Sequence, residues 1–154
     1  MVTPTTRQPK ASQQTYLRLA AATGLAAASG AGVNVLLRQI AVATFDIPQP
    51  QFEPLNVGAV LISSVIAAAA GGAFFAVLVR LVRRPIRVFR LVVWLALALS
   101  MVPVIAVNLG DPPPYEGAGL AAGITLAIMH VVVATVLLAA LSWAQRSSDE
   151  ATAR

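Results

Sequence analysis

The sequence predicts an all-α, polytopic membrane protein in which four transmembrane helices form a compact bundle. The chain has 154 residues, of which 58% are hydrophobic and only 11% are charged, whereas soluble domains are about 45–50% apolar and about 25% charged. A soluble domain of this size could not bury so much apolar surface. The apolar residues also fall into four long runs, and each run exceeds the length of about 20 residues that crosses a hydrocarbon core.

The four runs are predicted to be helices because a single segment in lipid must satisfy its own backbone hydrogen bonds. They form one transmembrane domain over residues 17–143. A polar segment (1–16), predicted to be flexible and cytoplasmic, precedes this domain, and a cytoplasmic tail (144–154) follows it. The predicted helices cover residues 17–45, 55–79, 88–109 and 117–143.

The first run has an alternative interpretation as a cleaved signal sequence. Its segment "AAASGAG" (26–32) offers small residues for cleavage. Secretory apolar cores, however, usually span only about 7–15 residues and precede a soluble domain. Here the apolar pattern continues and further spans follow, so an uncleaved first helix is favoured.

The charges predict an orientation. Ten of the eleven basic residues lie at one membrane face, and five of them are in "RLVRRPIRVFR" (80–90). The two proline-rich loops, "DIPQPQFEP" (46–54) and "DPPPYEG" (111–117), carry acids and no base. Because basic loops stay in the cytoplasm, both termini and the arginine loop are expected there. The net charge of +5 therefore indicates the topology of the chain and does not indicate nucleic-acid binding. The loop arginines are also expected to attract anionic lipid headgroups, unless they only set topology: Arg80, Arg83, Arg84, Arg87 and Arg90.

Small residues recur at every fourth position in three of the spans. Such rows let membrane helices approach closely, so they indicate a compact bundle, although contacts between copies in a homo-oligomer would produce the same pattern. The rows are Ala20–Gly24–Ala28–Gly32 and Ala22–Ala26–Gly30–Asn34–Arg38 in the first span, Ser64–Ala68–Gly72–Ala76 in the second, and Gly119–Gly123–Ala127 in the fourth.

Five residues within the spans are candidates for chemistry or for bending. His130 lies near the middle of the fourth span, where an ionisable residue suggests a functional site; the alternative is a neutral imidazole that fixes packing. Ser100 and Pro103 lie at mid-depth in the third span, and Pro103 predicts a kink that either lines a cavity or is tolerated by its neighbours. Arg38 lies near the face opposite the other bases, where its long side chain either pairs with a loop carboxylate or extends to the headgroup region, or else binds an anion or lipid. Asn34, one turn deeper, could connect Arg38 with His130, and Ser63 and Ser64 could join this polar layer.

Several function classes are excluded by composition. There is no cysteine and only one histidine, so a thiolate nucleophile and a multi-histidine metal site are impossible. No carboxylate lies in a span core, and "GAGLAAG" (117–123) lacks the lysine of a phosphate-binding loop. The sequence therefore predicts neither an enzyme nor a cofactor or metal.

Three short motifs occur in a characteristic order: "FEPL" (52–55), "LSMVP" (99–103) and "IMHVVVA" (128–134). With them the chain resembles a family of small four-span bacterial membrane proteins of unknown function, of the actinobacterial type, over about residues 17–143. The resemblance implies a multi-pass protein of the bacterial plasma (inner) membrane. It places Ser100, Pro103, Met129 and His130 at the family's motif positions and implies no activity.

Three functions remain open. The favoured one is a non-enzymatic structural or accessory subunit of a membrane complex, with a membrane-protein partner or a second copy of the chain. A small carrier or channel would use the polar layer around His130. A lipid-binding module would use the arginine loop and Arg38.

Overall fold

A computed structural model describes residues 13–45, 47, 53–109 and 119–152, without the side chains at 53, 106–109 and 148–152. The predicted fold class is confirmed: in these residues the chain forms four long helices and one short 3-10 turn, Glu53–Leu55. All four helices are long and apolar enough to cross a membrane. In chain order they are α1 (Gln13–Thr44), α2 (Val57–Leu81), α3 (Pro85–Leu109) and α4 (Gly119–Thr152).

The helix boundaries differ from the predicted ones for local reasons. α1 begins at Gln13, four residues before the apolar run, because polar residues can extend a helix beyond the bilayer. The side chain of Asn56 caps α2 by accepting a hydrogen bond from Gly58 N at 2.9 Å. Pro85, expected to separate two helices, is the first residue of α3, where proline's missing amide costs nothing. α4 continues through the predicted tail to Thr152.

α1 contacts both α2 and α4, while α3 contacts mainly α4. We call the end that carries the loop between α2 and α3 the arginine end. There the guanidinium of Arg80 donates from Nε to the Tyr16 hydroxyl at 2.7 Å and lies 5.0 Å from the centre of its ring. Arg18 Nη1 donates to the carbonyl oxygen of Ser147 at 3.0 Å. These contacts connect α1 with the ends of α2 and α4.

The core consists of two apolar clusters stacked along the bundle. The cluster nearer the arginine end includes Phe75, Phe89 and Leu141, which are almost fully buried. The cluster nearer the opposite end includes Leu55 and Met129. Asn34 of α1 and Ser64 of α2 lie between the residues that these helices contribute to the two clusters. A polar layer thus separates the two apolar clusters.

One of the two small-residue rows in α1 is a helix interface, and the other is not. Ala22, Ala26, Gly30 and Asn34 are buried, as are Ser64, Ala68 and Gly72 of α2. The row Ala20–Gly24–Ala28–Gly32 is exposed, and none of the described residues lies within 4 Å of a Cβ built on Gly24 or Gly32. This row therefore does not pack against another described helix of the same chain, and the alternative of contacts between copies stays a prediction. In α4, Gly123 is buried, Ala127 is half-buried and Gly119 is exposed.

Candidate functional site

A cavity of about 450 Å³ lies between α2, α3 and α4 and opens onto the surface of the bundle, where its lining residues Ser63, Phe74 and Ala96 are exposed. It follows α2 from Val60 to Phe74, a distance of about 21 Å at about 1.5 Å per residue. Most of its lining is aliphatic or aromatic. Among the described residues, the polar side chains in the lining are those of Ser63, Ser64, Ser100 and His130. Cavities of about 300–1,000 Å³ with a few polar groups are typical of small-molecule sites.

His130 lies in the cavity wall near the middle of the apolar span Gly119–Ser147. It is about 16 Å along α4 from Gly119 at about 1.5 Å per residue, close to half of a hydrocarbon core about 30 Å thick. Its Nδ1 is 2.7 Å from the carbonyl oxygen of Leu126, one turn earlier. Because a carbonyl only accepts, Nδ1 carries the proton, and in the neutral ring Nε2 then carries a lone pair.

Ser100 faces the same cavity from α3, in agreement with its position at mid-depth in the third span. Its Oγ donates to the carbonyl oxygen of Leu97 at 2.8 Å and not to the carbonyl of Leu99, which Pro103 leaves without its usual donor. α3 nevertheless remains helical through Pro103, whose side chain is exposed. The predicted kink stays a prediction, and Pro103 does not line the cavity.

Asn34 lies behind the cavity wall and is 3% exposed. Its Nδ2 donates to Ser64 Oγ at 3.1 Å and to the carbonyl oxygen of Met129 at 3.4 Å, so one amide joins α1, α2 and α4. The expected link from Asn34 to His130 and Arg38 is therefore replaced by links to Ser64 and to the residue before His130. Asn34 Oδ1 is buried without a hydrogen-bond partner in the described part of the chain.

Arg38 is half-buried and lies outside the cavity lining. Its Nε donates to the carbonyl oxygen of Leu55 at 2.8 Å, and its Nη1 donates to Gln39 Oε1 at 2.6 Å. Arg38 thus holds the 3-10 turn before α2 against α1. The acids predicted to pair with it lie outside the described side chains, so the ion pair stays a prediction: Asp46, Glu53, Asp111 and Glu116.

The arginine loop presents its charges to the surroundings. Its five arginine side chains are all exposed, and the described contacts of Arg80 are with Tyr16. This exposure is compatible with lipid headgroups and with a purely topological role. Among the described residues, no group of three or more histidine, cysteine, aspartate or glutamate side chains could hold a metal ion.

The structure therefore divides the predicted polar layer. His130 and Ser100 share a cavity with Ser63 and Ser64, Asn34 supports it from behind, and Arg38 belongs to a separate contact. Sequence reasoning missed the role of Ser64 as the partner of Asn34. Asn34 and Ser64 both belong to small-residue rows, and this pattern hinted at their contact. Whether the two rows face each other depends on how α1 is rotated against α2.

Fold and site together define the class: a four-helix membrane protein with a mostly apolar cavity and a small polar patch near mid-depth. The chain belongs to the family of unknown function DUF6069, which matches residues 10–147. No match was found among curated proteins or among solved structures.

Proposed function

We propose that this protein is a non-enzymatic accessory protein of the bacterial plasma membrane that holds a hydrocarbon-rich molecule from the bilayer between α2, α3 and α4. The observation that carries the proposal is the cavity of about 450 Å³. A cavity of this size is larger than a packing defect in a helix bundle and is in the range of ligand-binding sites. Its mostly aliphatic and aromatic lining favours a molecule that already resides in the membrane.

The proposal is tested by filling the cavity. Ala96 lines the cavity from α3, whereas Ala98, two residues further along, does not, and both alanines are exposed at the surface of the bundle. The Ala96→Leu and Ala98→Leu variants are purified in mild detergent, and the small molecules retained by each are measured by native mass spectrometry. We expect retention to fall in Ala96→Leu and to be unchanged in Ala98→Leu. Equal retention in both variants, or no bound molecule in the unmodified protein, would contradict the proposal.

The accessory role concerns the outer surface of α3. Trp94, Leu95 and Leu99 are exposed there, and lipid or a partner subunit would both cover such a face. Crosslinking in native membranes through a photoreactive group at position 95 tests this role. A protein crosslinked to the chain, including a second copy, supports it; crosslinks to lipid alone argue against a subunit role.

A small carrier or channel is the second candidate, and the placement of His130 and Ser100 in one cavity favours it. Liposomes containing the protein would then conduct protons or a solute, and His130→Ala would reduce that flux, whereas Thr135→Ala on the exposed side of α4 would not. Flux equal to that of protein-free liposomes eliminates this candidate.

The orientation is part of the proposal: the arginine end faces the cytoplasm, as expected from the excess of basic residues. The chain has no cysteine, so a thiol reagent can label only a cysteine that is introduced by substitution. Arg83→Cys and Asn56→Cys place exposed thiols at opposite ends. In intact cells, a membrane-impermeant maleimide should label the second and spare the first, and the reverse pattern would invert the topology.

A further inference from the structure

An apolar lining alone gives little selectivity inside a membrane. Lipid tails are as apolar as the side chains around the cavity, so no hydrophobic driving force moves a ligand from one to the other. Discrimination among membrane molecules must then come from shape and from the polar groups. Those groups are Ser63, Ser64, Ser100 and His130. The donors and acceptors that they leave unused determine which hydrogen-bonding groups a ligand needs.

Two of the serines have already used their protons. Ser63 Oγ donates to the carbonyl oxygen of Val60 at 3.3 Å, and Ser100 Oγ donates to that of Leu97 at 2.8 Å. Each can still accept a hydrogen bond. His130 is in the same position, because its Nδ1 proton is directed to Leu126 O and Nε2 is left as an acceptor.

Ser64 is different, because it receives a hydrogen bond instead of using its proton on the helix. Asn34 Nδ2 donates to Ser64 Oγ at 3.1 Å, and within the described chain no acceptor takes the Ser64 proton. Ser64 is 3% exposed, and an unused donor at such a depth is costly. The cavity therefore offers one donor, Ser64, and an aromatic nitrogen acceptor, His130.

The ligand should also be uncharged. Among the described residues no arginine, lysine, aspartate or glutamate lines the cavity, so a carboxylate, phosphate or ammonium group would be buried without a counter-charge. A ketone or quinone carbonyl could accept from Ser64 but would leave Nε2 without a donor. A hydrocarbon would leave both groups unsatisfied.

We infer that the cavity selects an uncharged, hydrocarbon-rich alcohol whose hydroxyl donates to Nε2 of His130 and accepts from the Ser64 hydroxyl. A hydroxyl is the smallest group that can do both. This inference rests on the proposed function, since it assigns a ligand class to the same cavity. It adds a recognition mechanism in which Asn34 orients Ser64 from behind.

The experiment uses the full chain in nanodiscs and a long-chain primary alcohol that carries a diazirine within the chain. After irradiation, labelled peptides are mapped by mass spectrometry. Competitors are the unmodified alcohol, its methyl ether and the matched alkane. The alcohol should compete about three- to twentyfold better than the ether, which cannot donate to His130, since one such hydrogen bond in a membrane protein has about that effect.

The variants distinguish recognition from packing. His130→Leu should abolish the preference for the alcohol over the ether, while His130→Gln, whose amide oxygen can accept the ligand's proton, should partly retain it. Ser64→Ala should instead weaken competition by the alcohol and by the ether relative to the alkane, because both oxygens can accept from the Ser64 hydroxyl. Thr135→Ala is the matched control, because Thr135 is exposed on α4 and donates to the carbonyl of Val131 at 2.8 Å. Thermal unfolding of each variant identifies any that has lost its fold.

The outcomes separate this inference from the function on which it rests. Label within the cavity together with equal competition by alcohol, ether and alkane would refute the alcohol specificity and leave the ligand-binding function intact. Label spread over the outer surfaces of α1 and α3, with none on cavity residues, would refute both. Cavity label supports both when the preference for alcohol over ether disappears in His130→Leu and the advantage of alcohol and ether over the alkane falls in Ser64→Ala.

Discussion

The replacement of Gly72 by alanine is the sharpest test of how α1 and α2 pack. Gly72 is buried in α2 and faces Thr23 of α1. A Cβ added there would overlap Oγ1 and Cγ2 of Thr23 and lie 2.9 Å from its Cβ. Thr23 has little freedom to withdraw, since it is β-branched and its Oγ1 donates to Leu19 O at 2.8 Å.

The size of the effect follows from these contacts. Carbon atoms pack best at about 3.5–4.0 Å, so relieving the Cβ–Cβ contact alone requires α1 and α2 to separate by about 0.6–1 Å. A gap of that size removes about a quarter to a half of the dispersion energy across the interface, and overpacking in cores costs about 1–3 kcal/mol. We expect Gly72→Ala to destabilise the fold by that amount.

The assay is equilibrium unfolding in mixed micelles, followed by circular dichroism, and Gly24→Ala is the matched control. In the part of the chain that the structure describes, no atom lies within 4 Å of a Cβ on Gly24, so this substitution should be neutral or stabilise by up to about 1 kcal/mol through helix propensity. Thr23→Ala should partly rescue Gly72→Ala, because it removes two of the three overlapping atoms and leaves the Cβ. If Gly72→Ala proves as stable as Gly24→Ala, this packing of α1 on α2 is wrong.

Three further predictions concern polar contacts. Asn34→Ala and Ser64→Ala should each destabilise the bundle, and their double-mutant cycle should give a coupling of about 0.6–1.7 kcal/mol; a coupling of zero would contradict the 3.1 Å hydrogen bond. Arg38→Ala should speed hydrogen exchange at the start of α2, measured by mass spectrometry, because the Leu55 carbonyl loses its donor, whereas unchanged exchange would show that the turn does not depend on it. Pro103→Ala should slow exchange in the third helix by adding an amide proton one turn after Leu99, and faster exchange there would refute this.

Much of the fold could be predicted from the sequence. The four spans follow from run lengths of apolar residues, which depend only on bilayer thickness and on the need to satisfy backbone groups. The separation of α2 from α3 could also be predicted from Pro85, which is the first residue of α3. The ends of α1 and α4 were less predictable, because polar residues just outside the bilayer can either continue a helix or leave it.

The packing faces could be predicted only in part. Two small-residue rows in α1 had the same spacing, and only the one that contains Asn34 is buried. Both rows satisfy the same helical period, so the choice depends on how α1 is rotated against α2 and α4. Likewise His130 and Ser100 could be placed at mid-depth, but not in one cavity.

The sequence by itself determined that this is a four-helix membrane protein. It also determined which ends of the helices carry the basic residues and which few polar side chains lie within the spans. Those properties depend on local composition and length. Only the tertiary structure decided that His130, Ser100 and Ser64 share a cavity, that Asn34 supports Ser64, and that Arg38 holds a turn instead. These relations depend on helix rotation and spacing, because contacts between side chains on different helices arise only when several packed faces are fixed together.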